Sequence, residues 1–219
     1  MLLRSLIALG ALSLSVISFA KPISHFPKTL DQNCDGGLAK LYDECGDQAK
    51  ILKAAIQEAQ KSNKNVLIVY GAEWCIWCHV FDKYLKGEIG QHQYAWRAEE
   101  SSNQYERWDM TEHYSEKDKK AAQQLNQFAA DNFVIAHIES DKTNGKAVLE
   151  SVGVNTSEIY AVPAIIVLNK QGKFGAILPP ASMLKGLEVR ESGGEEYRGY
   201  DRTVLLQQLT QLKQKADRK

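Results

Sequence analysis

This chain has no excess of charge and no long apolar run beyond its first twenty residues. Its 219 residues carry 27 basic and 27 acidic side chains, so nothing in the balance points to nucleic acid or an anionic membrane surface. No later segment is apolar for long enough to cross a bilayer, so no stable membrane insertion is expected once the N-terminus is removed. Internal repeats and low-complexity tracts are absent too. What remains is a globular chain long enough to bury a full core as one domain, with extra length to be explained. Prolines number only five and cysteines only four, and most of the informative positions involve one or the other.

The N-terminus reads as a secretory signal over residues 1–20. Arg4 is its basic end, Leu6 to Phe19 its apolar stretch, and Ser18-Phe19-Ala20 a small-x-small cleavage site before Lys21. The rival reading, a retained anchor helix, needs a longer run. The expected location is therefore outside the cytoplasm: periplasmic in a Gram-negative host, otherwise secreted. Four cysteines suit such an oxidising compartment, and they form two unlike pairs. Cys34 and Cys45 lie eleven positions apart around Asp35-Gly36-Gly37, without metal-like spacing. A structural disulfide between them would close a loop of about a dozen residues and contribute about 2–3 kcal/mol. The sharper alternative is a second redox pair that relays electrons to the first.

That first pair sits in Trp74-Cys75-Ile76-Trp77-Cys78-His79, between the apolar run Val66 to Tyr70 and the helix-like run Val80 to Leu85. One helical turn brings the two cysteines onto the same edge, within disulfide reach. Cys75 falls at the helix start, where free N–H groups and the positive dipole end favour a thiolate, which makes it the nucleophile and Cys78 its resolving partner. The same six residues are also an attachment signature for c-type haem, a reading that only context separates from the redox one.

Around the motif the chain reads as a series of elements. Residues 21–46, with Pro22, Pro27, Gly36, Gly37 and Gly46, read as an irregular arm with one helical turn near Leu38 to Tyr42. Residues 47–61 have apolar positions at helical spacing, and Val66 to Tyr70 is a short buried strand. The stretch 88–115 is polar but studded with Tyr94, Trp96, Tyr105, Trp108 and Tyr114. Tyr94, Trp96, Tyr105 and Trp108 either line a lid beside Cys75 or pack the extra segment onto the core. Ser115-x-x-Asp118 caps a following helix. Strands at 133–138 and 164–168 come next, separated by a helix through Ala147 to Val152. The second strand turns at Asn169 to Gly172 into a hairpin partner over 173–178. A loop-rich section follows, bracketed by Pro179-Pro180 and Ser192-Gly193-Gly194. A last helix at about 201–215 presents Leu205, Leu209 and Leu212 on one face.

In this order, and in the local sequences Asn65 to Cys75 and Ala161-Val162-Pro163-Ala164, the chain resembles the thioredoxin superfamily over residues 47–178 and the last helix, which implies a thioredoxin-like domain over 47–219. Its approach Ala72-Glu73-Trp74-Cys75 looks most like secreted thioredoxin-like proteins and the reductase domains of thiol:disulfide interchange proteins. The resemblance implies an α/β fold with a central mixed sheet flanked by helices, an N-terminal arm, and an insertion at about 88–115 after the active-site helix. It implies an exported thiol:disulfide oxidoreductase, a reductase or interchange protein, acting on protein or peptide disulfides with a redox partner the chain does not name. No cofactor and no metal are implied. Pro163 takes the place of the family's cis-proline, with Val162 beside it in contact with substrate; an ordinary trans proline before an edge strand is the bland reading. A binding module that keeps the fold without catalysis is the alternative function. On that reading Cys75, Cys78 and His79 could hold a soft metal, though spacing names no fourth ligand.

The departures from the family matter as well. Its buried acid, which accepts the resolving cysteine's proton, is replaced at the matching position by Val69, and His137 stands where the family has a buried lysine. Glu73 and His79 flank the cysteines. His79 or His137 therefore becomes a candidate proton acceptor for Cys78, against a plain structural role for each. The pair Ile76-Trp77 puts no cation beside Cys75, which suits a reductase better than a strong oxidant.

Overall fold

A computed structural model describes residues 20–31, 33–37, 39–96, 104–109 and 114–219; all of the expected signal segment 1–20 except Ala20 lies outside these. The described elements are β1 (His25–Phe26), α1 (Gln48–Lys61), β2 (Asn65–Gly71), α2 (Ile76–Leu85), β3 (Gln91–Trp96), β4 (Gln104–Asp109), α3 (Glu116–Asn132), β5 (Phe133–Glu139), α4 (Gly145–Ser151), β6 (Ala164–Leu168), β7 (Phe174–Ile177), α5 (Pro180–Met183), β8 (Leu187–Ser192), β9 (Glu195–Tyr200) and α6 (Arg202–Asp217).

Five strands make the central mixed sheet, in the order β1-β5-β2-β6-β7. β2 runs parallel to β5 and antiparallel to β6. Every residue of β2, β5 and β6 is buried, because helices cover both faces; this is why these strands read as continuous apolar runs rather than alternating ones. On one face Leu67, Val69, Ile165 and Val167 meet Val80 and Phe81 of α2, Leu125 of α3 and Leu205, Leu209 and Leu212 of α6. On the other, Ile68, Tyr70, Ile138 and Ile166 meet Ile51, Leu52 and Ala55 of α1 and Leu149 of α4. The expected thioredoxin-like α/β arrangement is the one observed. The capping box predicted at Ser115 is present, with Ser115 and Asp118 each satisfying the other's backbone N–H.

Two regions depart from expectation. The arm is more ordered than its composition suggests. His25–Phe26 extends the sheet by pairing in parallel with Ile135–Ala136, and the helical turn lies at Cys34–Gly37, upstream of the expected position near Leu38 to Tyr42. The other departure joins the insertion to the section read as loop-rich. Strands β3 and β4 of the insertion combine with β8 and β9 into a second, four-stranded antiparallel sheet, in the order β4-β3-β9-β8. Gly193 and Gly194, both at positive φ, form the two-residue turn between Ser192 and Glu195, a conformation glycine adopts without strain. Tyr200 anchors this sheet to α2. Its ring meets those of Trp77, Phe81 and Tyr84 edge-on at 5.5, 6.0 and 5.7 Å, a favoured aromatic geometry. The side chains of Tyr94, Trp96, Tyr105 and Trp108, proposed as lid or packing, lie outside the described part of the structure.

Candidate active site

Cys75 occupies the N-cap of α2. Its backbone is extended, and its sulfur accepts the N–H of Cys78 at 3.2 Å. The same donor that fills an otherwise unsatisfied position of the first turn is thereby directed at the atom that would carry a thiolate charge. Cys75 and Cys78 are joined as a disulfide, with Cα atoms 5.3 Å apart. Cys75 is 3% exposed and Cys78 not at all, so of the two only Cys75 keeps contact with solvent. Cys34 and Cys45 form the expected second disulfide, with Cα atoms 5.8 Å apart.

The residues flanking the motif separate by function. Trp74 is 48% exposed, and its indole N–H donates to Asp141 at 2.7 Å. Asp141 is held in turn by the buried Glu139, whose carboxylate accepts the N–H groups of Asp141, Lys142 and Thr143. Glu73 is fully buried, and its carboxylate accepts the backbone N–H groups of Lys40, Leu41 and Tyr42 at 2.9, 3.0 and 2.9 Å. It therefore latches the arm onto the motif. His79 turns toward the same residue: its Nε2 lies 2.7 Å from the Glu73 carbonyl and 3.4 Å from Oε1. A carbonyl only accepts, so Nε2 carries the proton, and His79 braces the approach to Cys75. Ile76 and Trp77 are partly buried against the core that α2 shares with α6 and β9.

His137 is placed elsewhere, across the sheet-facing side of α2. Val69 and His137 are register partners on β2 and β5. The imidazole is 1% exposed, has no hydrogen bond to either ring nitrogen, and lies 3.5 Å from Oδ1 of Asp82. Burial holds its pKa down to about 4, with Asp82 pulling upward and Lys86 pushing down again. At neutral pH it is therefore uncharged, and its approach to Asp82 is not an ion pair. Asp82 bonds Lys86 at 2.5 Å. Sequence reasoning overlooked Asp82, although it lies one turn beyond Cys78 on the same helix.

Tyr42 was overlooked entirely. It is fully buried and clusters with Leu41, Cys75 and Cys78, and its ring meets His137 edge-on at 5.5 Å. Nothing in the local sequence of the arm marks it, because the arm reaches the site only through the latch to Glu73. Beside the cysteines, Trp77, Tyr160, Val162, Pro163, Met183 and Tyr200 help line an open apolar groove of about 290 Å³. The Val162–Pro163 peptide is cis, as its position predicts. Among the described residues, no group of three or more His, Cys, Asp or Glu is placed to hold a metal ion.

A mixed sheet between helices, with a buried Cys-x-x-Cys disulfide capping a helix, defines a thioredoxin-like protein. The family model for the thioredoxin-like domain matches residues 52–189, and the chain belongs to that family. Among solved structures it is similar to the disulphide isomerase from Xylella fastidiosa Temecula1, at 20% identity and a TM-score of 0.38, over 62% of this chain and 76% of that one. At that level the likeness carries no functional argument. No curated protein matches the chain in sequence.

Proposed function

We propose that the protein is an exported thiol:disulfide oxidoreductase of the reductase or interchange type, acting on protein or peptide disulfides. The observation that carries this reading is the Cys75 sulfur at the N-cap of α2, bonded to the buried Cys78 and receiving its N–H. In the reduced protein the same N–H and the helix dipole favour the Cys75 thiolate. Cys75 attacks a substrate disulfide, a mixed disulfide forms, and Cys78 displaces the substrate as the Cys75–Cys78 bond closes. The apolar groove past Trp77 and the Val162-Pro163 loop is where the chain flanking the substrate cysteine would lie. Export is supported by the signal-like N-terminus and by the Cys34–Cys45 disulfide, a bond favoured in oxidising compartments. Haem attachment draws no support from the site, since both sulfurs it would need are bonded to each other.

Insulin reduction in the presence of dithiothreitol tests the reading. Wild-type protein is expected to accelerate it and Cys75→Ser to abolish the acceleration. Failure of the wild type to exchange with any dithiol probe would favour the non-catalytic binding module. The Cys75–Cys78 reduction potential against glutathione then separates reductase, near the thioredoxin range, from a strong oxidant.

A further inference from the structure

Resting on the oxidoreductase reading, the resolving cysteine needs a group that eases loss of its proton, and Val69 leaves the family's usual place for such a group apolar. The structure puts a different polar atom two residues further along β2, beside Gly71. A Cβ built on Gly71 would stand 2.5 Å from Cys78 Sγ and 2.8 Å from the Tyr42 hydroxyl oxygen. The sulfur and the phenol thus face one small gap over the end of β2, which only glycine leaves open. The hydroxyl donates to the Val69 carbonyl at 3.4 Å, a long bond from which it is readily diverted.

We infer that Tyr42 donates a hydrogen bond to the Cys78 thiolate and so sets the ease with which Cys78 is deprotonated. The titratable groups that act on the phenol are Glu73 from the approach to α2, Asp82 on α2, Glu139 at the end of β5 and Tyr200 on β9, with the uncharged His137 edge-on from β5. Burial foremost, then these acids, keeps the phenol protonated well above its usual range. It is therefore a donor and not a base. In the resolving step Cys78 gives up its proton to water at the mouth of the site, from which the leaving substrate sulfur regains one, and its thiolate, held by the Tyr42 hydroxyl, attacks the Cys75 sulfur. The Cys75–Cys78 bond forms, the bond from Cys75 to the substrate breaks, and the departing substrate sulfur takes the electron pair and a proton. The arm is what delivers Tyr42: Glu73 binds the N–H groups of residues 40–42, and the Cys34–Cys45 disulfide closes the segment around them.

The test titrates Cys78 in a Cys75→Ser background by its rate of iodoacetamide alkylation against pH. Adding Tyr42→Phe, which keeps the ring, is expected to lower alkylation at neutral pH about tenfold by raising the thiol pKa, as loss of one hydrogen bond to a charged group would. Replacing Tyr42 with 3,5-difluorotyrosine, a stronger donor of nearly the same shape, is expected to shift the titration the other way. In the two-cysteine protein, Tyr42→Phe should slow release of a mixed disulfide while leaving its formation at Cys75 unchanged. Superimposable titrations for wild-type and fluorinated tyrosine would overturn the inference, as would equal slowing of formation and release in Tyr42→Phe. Absence of any dithiol exchange by wild-type protein would instead sink the oxidoreductase reading, and the alkylation series remains informative in that case.

Discussion

Replacing Glu73 by alanine should release the arm from the active site without dismantling the sheet. The carboxylate holds three backbone N–H groups at 2.9–3.0 Å, and two of those bonds, to Leu41 and Tyr42, are buried. A hydrogen bond to a charged acceptor contributes about 1.5–3 kcal/mol. Two offsets keep the loss below the simple total. The buried carboxylate no longer has to be kept out of water, and once the arm lifts, water can satisfy the freed N–H groups. The expected cost is about 3 kcal/mol, read as a lowered urea midpoint. Amide exchange at Leu41 and Tyr42 should quicken about a hundredfold, because opening the arm then costs correspondingly less. Amides of β2 and β6 should be slowed or hastened only in step with global stability. His79 keeps its 2.7 Å bond to the Glu73 carbonyl in this variant, so the start of α2 stays braced and the effect reports on the latch. Glu73→Gln, which retains one acceptor oxygen without the charge, should fall between wild type and alanine. An alanine variant within about 0.5 kcal/mol of wild type, with arm exchange unchanged, would refute the latch.

Acid should weaken the fold through His137. Its folded pKa is held from 6.5 down to about 4 by burial, so between those values the unfolded chain binds a proton that the folded chain does not. Its contribution is intact above 6.5 and is lost as pH falls toward 4, a decline of about 3 kcal/mol that His137→Gln should remove from the pH slope of the urea midpoint; equal slopes would contradict the burial argument. Removing the arm's cross-link with Cys34→Ser and Cys45→Ser together should lower stability by about 2–3 kcal/mol under non-reducing conditions, with exchange at residues 40–42 rising; a midpoint equal to wild type would show that the latch alone holds the arm. Phe81 is fully buried in the core between α2 and the central sheet and meets Tyr200 of the second sheet edge-on, so Phe81→Ala should cost about 3–5 kcal/mol by thermal or urea unfolding, and a loss under about 1 kcal/mol would be incompatible with that packing.

Local sequence was enough for the elements whose signals are local. Continuous apolar runs named β2 and β6 because both of their faces are covered, and the Ser115 to Asp118 spacing named a cap made within one turn of chain. The reactive pair was legible for the same reason: Cys75 and Cys78 need only the strand before them and the helix they begin. Tertiary structure decided what surrounds that pair. β8 has five exposed positions out of six, so it shows no alternation to read, and its sheet depends on β9 meeting β3 across nearly half of the chain, at His92 and Arg198. Glu73 and His79 could be picked out as neighbours of the motif, but their tasks of latching the arm and bracing the approach depend on which groups the fold brings to them. Tyr42 lies 31 positions before the carboxylate that holds its N–H and is aligned with Cys78 only because glycine at 71 leaves room for both. The sequence by itself determined the central sheet with its helices and the disulfide at the head of α2, since those follow from hydrophobic runs and spacing within a few residues. Which polar atoms reach the buried sulfur was decided by packing between distant segments, and no local pattern encodes such contacts.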